Sequence, residues 1–260
     1  MTGKGHAPRK RYGQHFLHDR GVIAKIVAAV DPQSGDAIVE IGPGTGALTA
    51  PLLDRVARLE AVEIDRDLAA RLEAEHPRLA LHRGDVLRFD FARLPDRLRV
   101  VGNLPYNVST PLLFRLVEVA DRLRDAHLML QKEVVDRMVA APSTSEYGRL
   151  SVMLQYRFEM RKLFDVKPGA FRPPPKVDSA VVRLVPKPAA ALVARDRAAL
   201  ARVVTAAFTK RRKTLRNALA GVVDEGGLRA LGIDPRLRPE NLGVPQYVAI
   251  ANAVGLGAGG

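Results

Sequence analysis

The 260-residue chain contains no cysteine. Disulfide bonds and thiolate metal sites are therefore excluded, and a reducing compartment is favoured. No apolar run reaches the roughly 18 residues that a membrane-spanning helix requires. The basic segment Met1–Leu17 also lacks the apolar centre of a secretory signal. We therefore expect a cytoplasmic protein that does not associate with a membrane.

Positive charge is concentrated in two short stretches. The formal net charge is +13, of which residues 1–20 carry +4 and residues 195–216 carry +7. Such clustering is typical of a surface that binds a polyanion, although a solvated basic face is the simpler alternative. In the second stretch the apolar residues form one core-facing helical stripe, which argues against a membrane-surface helix. The stripe consists of Leu200, Val203, Val204, Ala207 and Phe208.

Apolar runs alternate with helical patterns through the first two-thirds of the chain. A helix is predicted over Asp19–Val30, and a further helix over Arg149–Phe158. Repeated strand–helix units favour an α/β fold with a parallel sheet and helices on both faces. The predicted strands are Ala37–Ile41, Leu59–Ile64, Leu79–Arg83, Leu98–Gly102, Ala126–Leu130 and Asp178–Val185.

A proline-rich break at Pro186-Lys187-Pro188 separates this pattern from a basic, helical remainder. The sequence therefore predicts two domains. The first covers residues 1–186 and includes a basic N-terminal segment, residues 1–18. The second covers residues 187–260 and is small and all-helical.

Three glycines follow the first predicted strand of the sheet, at positions 42, 44 and 46. Glycine allows a tight turn and lets a ligand approach where a Cβ atom would clash. The spacing is not the G-x-G-x-x-G of dinucleotide enzymes, and no Lys-Ser/Thr pair of a triphosphate loop follows. Binding of NAD or ATP is therefore disfavoured, and a nucleoside without phosphates, such as S-adenosylmethionine, is favoured.

Acidic residues follow the next two predicted strands. Glu63 lies where an acidic side chain binds ribose hydroxyls in open parallel sheets. Asp65 is its rival for that role, or instead caps the next helix. Asp85 follows the third strand and could accept from an adenine amino group, or serve as a turn cap. Together with the glycine turn, these residues predict a nucleoside site at the carboxyl edge of the sheet.

The segment Asn103-Leu104-Pro105-Tyr106 ends another strand at the same edge. The Asn103 amide oxygen and the Leu104 carbonyl could accept from an amino group, while the Tyr106 ring stacks on an extruded base. Pro105 restricts Leu104 to an extended conformation, which could turn that carbonyl outward. This set favours methylation of an adenine amino nitrogen. A simple strand-to-helix turn is the alternative.

Seven segments in order, between residues 14 and 217, resemble one family, the KsgA (RsmA) small-subunit ribosomal RNA adenine N6-dimethyltransferases. They are Gln14-His15-Phe16-Leu17, residues 39–49, Val62-Glu63-Ile64-Asp65, Gly84-Asp85, residues 103–107, residues 171–179 and residues 211–217. The resemblance implies a Rossmann-like class I S-adenosylmethionine-dependent methyltransferase domain followed by a small C-terminal all-helical domain.

The resemblance also assigns residues. It implies cofactor contacts from the glycine turn, including Gly44, and from His15, Leu17, Gly42, Glu63, Asp85 and Asn103. Position 15 is a departure, because many bacterial members have Asn there. Phe171 is a candidate for the second stacking face on the base, or else a plug beneath the proline-rich loop. No metal is implied.

The implied substrate is a pair of adjacent adenines in the 3′-terminal hairpin loop of 16S ribosomal RNA, within a small-subunit precursor particle. We expect a monomer whose second domain contacts RNA phosphates through Lys210, Arg211, Arg212, Lys213 and Arg216. Large-subunit RNA methyltransferases share the glycine turn but generally lack the run at residues 211–217, so they rank second. A third hypothesis is an assembly factor that binds RNA and cofactor without relying on catalysis.

Overall fold

The computed structural model describes residues 14–106 and 108–254. Residues 1–13 of the predicted basic segment, Asn107 of the resemblance and the C-terminal residues 255–260 lie outside this range. Two compact units are present. The first comprises the described residues up to Val135 together with Met160–Pro186, and the second comprises Asp136–Glu159 together with the described residues from Lys187 onward.

The predicted boundary after residue 186 coincides with one border of these units. Residues 136–159, which the sequence pattern placed in the first domain, pack instead with the second unit. The reason is long-range packing, because the helix within this segment contacts the C-terminal helices. Local hydrophobic periodicity carries no information about such a partner.

The first unit is built on a seven-stranded sheet and a separate two-stranded sheet. The strands are β1 Phe16–Leu17, β2 Ile38–Ile41, β3 Leu59–Glu63, β4 Leu79–Arg83, β5 Leu98–Asn103, β6 Leu123–Gln131, β7 Phe158–Val166, β8 Phe171–Arg172 and β9 Ser179–Pro186. The seven-stranded sheet has the order β4-β3-β2-β5-β6-β9-β7, in which strands β2 to β6 run parallel and β9 pairs antiparallel with β6. The two-stranded antiparallel sheet joins β1 to β8.

Ten α-helices occur in the described part of the chain. The first begins at Arg20, where the Asp19 side chain accepts from the Val22 amide as an N-cap. The helices are α1 Arg20–Val30, α2 Thr49–Leu53, α3 Arg66–Glu75, α4 Ser109–Glu118, α5 Lys132–Val139, α6 Arg149–Arg157, α7 Arg197–Thr209, α8 Leu215–Ala218, α9 Glu225–Ala230 and α10 Val244–Val254. None of them is long and apolar enough to cross a membrane.

The predicted α/β class is confirmed. All four residues of β2 are buried, as expected for a parallel strand that helices cover on both faces. At the amino end of the sheet, buried Arg99 on β5 donates to Asp125 on β6 at 2.9 Å and to Asp36 at 2.6 Å. These two carboxylates satisfy a charge that would otherwise be costly to bury.

The second unit has a helical core. In α7 the predicted stripe is confirmed, since Leu200, Val203, Val204 and Ala207 are buried and Phe208 is partly buried. Phe208 also lies between two buried tyrosines. Its ring centroid is 6.3 Å from that of Tyr147 and 5.9 Å from that of Tyr247.

Candidate active site

A cavity of about 320 Å³ opens at the carboxyl edge of the sheet in the first unit. Its volume is at the lower end of the range of ligand pockets, roughly 300–1,000 Å³. The lining comes from several strand ends and the loops that follow them. It consists of residues 14–17, 40–45, 47–48, 62–64, 84–86 and 103–106, together with Val108 and Phe171.

The predicted glycine turn forms one wall. Gly42, Gly44 and Gly46 have φ values of +65°, +59° and +85°, a region that side-chain-bearing residues rarely adopt. A Cβ atom on Gly44 would also lie 3.2 Å from the Phe16 ring. The turn is anchored by a hydrogen bond from the Gly42 amide to the Val62 carbonyl. Both the conformation and the close packing therefore require glycine at position 44.

Glu63 lies at the end of β3 with its side chain directed to the glycine turn. One carboxylate oxygen accepts from the Gly44 amide at 3.1 Å and the other from the Asp65 amide at 2.9 Å. Burial raises the pKa of Glu63 above its usual value. Asp65 is fully buried and caps α3 by accepting from the Asp67 amide. Of the two rivals, Glu63 therefore lines the cavity and Asp65 is the helix cap.

Glu40 is a cavity residue to which the sequence analysis gave no role. It lies within β2, is 2% exposed, and accepts from the Thr49 hydroxyl at 2.6 Å. Burial raises the pKa of Glu40 to about 7, and the charge of Glu63 adds to the effect. The sequence does contain a signal for Glu40, because it is the single acidic residue in the apolar run Ile38-Val39-Glu40-Ile41. A carboxyl in a buried strand is rare and often marks a functional site.

Asp85 follows β4 and also lines the cavity. Its Oδ1 atom accepts from the Leu87 amide at 2.9 Å, which is the turn-capping role. A carboxylate can accept several hydrogen bonds, so the cap and a ligand contact are compatible.

The charge of the cavity distinguishes among ligands. Three carboxyls, from Glu40, Glu63 and Asp85, belong to the lining, whereas none of the described lining residues is Lys or Arg. Such a cavity disfavours phosphate groups and favours a ligand that carries positive charge. This agrees with the expectation that binding of NAD and ATP is disfavoured.

Asn103 is the last residue of β5 and lines the cavity. Its side-chain nitrogen donates to the backbone carbonyl of His15 at 3.0 Å, and the amide oxygen is thereby held on the other side of the planar group. The neighbouring Leu104 is buried, and its amide donates to the Met129 carbonyl at 3.0 Å. The Pro105 carbonyl accepts from the Ser109 hydroxyl. The predicted segment is therefore a rigid turn as well as a cavity wall.

Tyr106 is half-buried beside His15, with 5.6 Å between the ring centroids and an interplanar angle of 32°. The Nδ1 atom of His15 is 2.8 Å from the Pro173 carbonyl. Since a carbonyl only accepts, Nδ1 carries the proton, and Nε2 is an acceptor in the neutral ring. The Tyr106 hydroxyl lies 3.1 Å from the hydroxyl of Ser179, a residue that the sequence analysis did not select.

Leu17 and Phe171 face each other in the register of β1 and β8. They are only 4% and 3% exposed, and both belong to the hydrophobic core as well as to the cavity wall. The burial of Phe171 favours the packing alternative over a second stacking face for a base.

The predicted RNA-contacting cations belong to the second unit, at the end of α7 and in α8. Lys210, Arg212, Lys213 and Arg216 are exposed. Arg211 differs, because it donates to the Ser145 carbonyl at 2.7 Å and lies 3.7 Å from the Glu240 carboxylate. Its cation is engaged within the unit.

The chain matches the family model described as ribosomal RNA adenine dimethylase over residues 5–255. Among curated relatives, a protein of Chromobacterium violaceum named ribosomal RNA small subunit methyltransferase A is 60% identical over 250 residues, which is 95% of each chain. A protein of the same name from Thiobacillus denitrificans is 61% identical over 247 residues, covering 94% of this chain and 97% of the relative.

Solved structures agree with this assignment. A dimethyladenosine transferase from Plasmodium falciparum superposes with a TM-score of 0.81 at 27% identity, covering 93% of this chain and 98% of that one. The 23S rRNA methyltransferase ErmE superposes with a TM-score of 0.70, also at 27% identity, over 92% and 99% of the two chains. The chain therefore belongs to the ribosomal RNA adenine dimethylase family and is a methyltransferase with the Rossmann-like class I fold.

Proposed function

We propose that the protein transfers methyl groups from S-adenosylmethionine to the amino nitrogen N6 of two adjacent adenines in the 3′-terminal hairpin loop of 16S ribosomal RNA. The observation that carries the proposal is the orientation of Asn103. Its side-chain nitrogen donates to the His15 carbonyl. Its side-chain oxygen is therefore the group that can accept a hydrogen bond at the wall of an acidic, nucleoside-sized cavity. The names of the relatives support the small subunit as the source of the RNA.

The cavity residues fit S-adenosylmethionine. The glycine turn leaves room for close backbone approach, and Glu63 would accept from ribose hydroxyls. Asp85 would accept from the adenine amino group of the cofactor, while His15, Leu17 and Gly42 complete the wall. The buried Glu40 carboxyl suits the positive charge of the ligand, which an anionic dinucleotide would not provide. When bound, S-adenosylmethionine supplies a methyl group activated by a positively charged sulfur.

Asn103 and Leu104 would hold the target amino group. The lone pair of an adenine amino nitrogen is delocalised into the ring, so the nitrogen is a weak nucleophile. Hydrogen bonds from its two protons to the Asn103 oxygen and the Leu104 carbonyl would favour a more tetrahedral nitrogen with a more available lone pair. Orientation of this kind can contribute about 7–11 kcal/mol. The proton released after transfer passes to solvent, so the proposal needs no metal and no strong base.

Tyr106 would stack on the extruded adenine. Extrusion costs a few kcal/mol, and stacking of one base on an aromatic ring returns about 1–3 kcal/mol. The two terms are close, so the ring makes extrusion feasible but does not drive it alone. Contacts to the RNA backbone must supply the remainder, and the exposed Lys210, Arg212, Lys213 and Arg216 suit that role. Arg211 is left out because of its contacts within the second unit.

The biological substrate in this proposal is a small-subunit precursor particle in the cytoplasm, acted on by a monomer. Phosphate contacts provide little sequence specificity, so the choice of target would come from RNA shape and unstacked loop bases. A particle presents that shape more completely than naked RNA does. The alternative of an assembly factor without catalysis is disfavoured because the complete set at residues 103–106 suits methyl transfer to an amino group, which binding alone does not require.

The experiment is methyl transfer from labelled S-adenosylmethionine to small subunits that lack the modification. Purified protein is incubated with these subunits, with the naked RNA and with large subunits, and the modified nucleosides are identified by mass spectrometry. We expect N6-dimethyladenosine at two adjacent positions, formed faster on particles than on naked RNA. Label in large-subunit RNA would support the competing substrate, and no label in any of the three would overturn the proposal.

A further inference from the structure

The hydroxyl of Tyr106 is held by a buried residue outside the turn that carries it. Its oxygen lies 3.1 Å from the Oγ atom of Ser179, whose residue is only 1% exposed. Ser179 is the first residue of β9 and pairs with Gln131 of β6 in the sheet. The anchoring hydroxyl is therefore set by the rigid sheet, whereas Tyr106 belongs to a connecting segment between β5 and α4.

The backbone around Ser179 is itself fixed. The carbonyl of Asp178 accepts from the Lys132 amide at 2.9 Å, and the Asp178 carboxylate accepts from the Lys167 ammonium at 2.6 Å. These contacts attach the start of β9 to two other segments of the first unit. The backbone that carries the Ser179 hydroxyl is therefore held in place, whereas the Tyr106 side chain could otherwise rotate.

We propose that Ser179 is a positioning residue that holds the Tyr106 ring in place for the incoming adenine. The inference rests on the proposed function, because it assigns the ring to base stacking. The phenol oxygen lies on the axis about which the ring turns, so a hydrogen bond there restricts the first side-chain torsion and fixes the far end of the ring. His15 lies against the ring on one side, so the hydroxyl anchor and His15 together define its orientation.

This arrangement predicts which step Ser179 affects. Stacking geometry depends on where the ring lies, whereas the cofactor contacts come from other residues of the cavity. Loss of the anchor should therefore reduce kcat/KM for the ribosomal substrate by about tenfold, equivalent to about 1.4 kcal/mol. The affinity for S-adenosylhomocysteine should remain within about twofold, because Ser179 is not among the residues lining the cavity.

The test is a double-mutant cycle with the variants Ser179→Ala, Tyr106→Phe and the combination of both. Tyr106→Phe keeps the ring and removes only its hydroxyl, so it reports on the anchor without altering the buried strand. If Ser179 acts through Tyr106, the two single variants lose kcat/KM to a similar extent and the double variant loses no more than either. A structural role for Ser179 alone would give losses that multiply.

Ser151→Ala is the matched control, because Ser151 is also fully buried and donates to the backbone carbonyl of Arg137 in the second unit. It should lower the melting temperature without changing kcat/KM. An active wild type with an equally active Ser179→Ala variant would overturn the inference and leave the proposed function standing. An inactive wild type would instead count against the proposed function itself.

Discussion

Asn103 donates its side-chain amide to the backbone carbonyl of His15 at 3.0 Å. The residue that ends β5 is thus oriented by a segment from near the start of the chain. Because the acceptor is a backbone carbonyl, the side chain at position 15 can change without losing this contact. The departure from Asn to His at that position therefore leaves the orientation of Asn103 intact.

Replacement of Asn103 by alanine should abolish methyl transfer, with a loss of at least 100-fold in kcat. The amide oxygen that would accept from the adenine amino group is removed, and groups that act on the reacting atom typically contribute this much or more. Binding of small-subunit RNA should remain nearly unchanged, since the basic residues are untouched. Single-turnover methylation and a filter-binding assay measure the two quantities, and normal turnover would remove Asn103 from the mechanism.

Cofactor affinity should rise with pH up to about 7 and then level off. Burial raises the pKa of Glu40 to about 7 in the free protein, and a positively charged ligand favours the ionised form. Below that pH, binding must displace a proton and is weakened. Calorimetric titration with S-adenosylmethionine, which carries the positively charged sulfur, between pH 6 and pH 8.5 measures the effect. The Glu40→Gln variant should bind more weakly at pH 8 and show a smaller pH dependence.

Two controls separate this effect from loss of structure. The pKa of Glu40 is raised from its ordinary value of 4.5 to about 7, so the folded state loses stability as the pH rises from about 4.5 to about 7, and the full cost is present at pH 8. The neutral glutamine should therefore keep or raise the melting temperature at pH 8. Glu118→Gln, at a surface carboxyl, should change neither binding nor its pH dependence. An unaltered pH dependence in Glu40→Gln would contradict the assignment.

Gly102→Ala should lower kcat without abolishing cofactor binding. An added Cβ atom would lie 2.7 Å from the backbone oxygen of Ile41, so β5 must shift against β2. Asn103 is the next residue, and a displacement of about 1 Å at a reacting group can cost on the order of 100-fold in rate. Gly35→Ala is the control, because no atom lies within 4 Å of its added Cβ. Equal kcat for both variants would show that β5 tolerates the shift.

The basic residues that follow α7 should differ in what their replacement affects, either RNA binding or the stability of the second unit. Neutralising Arg212 and Lys213 should weaken RNA binding and reduce the slope of log affinity against log salt by about 1.4–1.8, for two phosphate contacts. Arg211→Ala should instead lower the melting temperature, because the Ser145 carbonyl and Glu240 lose their partner. Its salt slope should stay unchanged. The triple variant would combine both effects, and an unchanged slope there would identify the cluster as a solvated face.

Much of the first unit was predictable because its signals are local. Five parallel strands and their helices follow from apolar runs that alternate with helical periodicity. β7 was missed, since its central residues are only partly buried and its sequence, Phe158-Glu-Met-Arg-Lys-Leu-Phe-Asp-Val166, mixes charges with apolar residues. The grouping of residues 136–159 with the C-terminal helices was missed because it depends on contacts distant in sequence.

The residues of the cavity likewise fall into those that the sequence predicts and those that only the fold reveals. Gly42, Gly44, Glu63, Asp85 and Asn103 follow strand ends, so the topology of a parallel sheet brings them together. Ser179 carries no local signal, because its role appears only when β9 pairs with β6 beside Tyr106. The difference between Arg211 and Arg212 is likewise invisible in a run of identical charges. Only the fold shows which of the two side chains meets Glu240.

The pairing of β1 with β8 has a consequence for synthesis of the chain. Phe16 pairs with Arg172 and Leu17 with Phe171, residues that are made after roughly two-thirds of the polypeptide. A nascent chain that ends before this point has the glycine turn and Asn103 but lacks Phe171, which lines the cavity. Tight binding of S-adenosylmethionine should therefore arise late in translation. Fragments that end before residue 171 should bind it more weakly than the full chain.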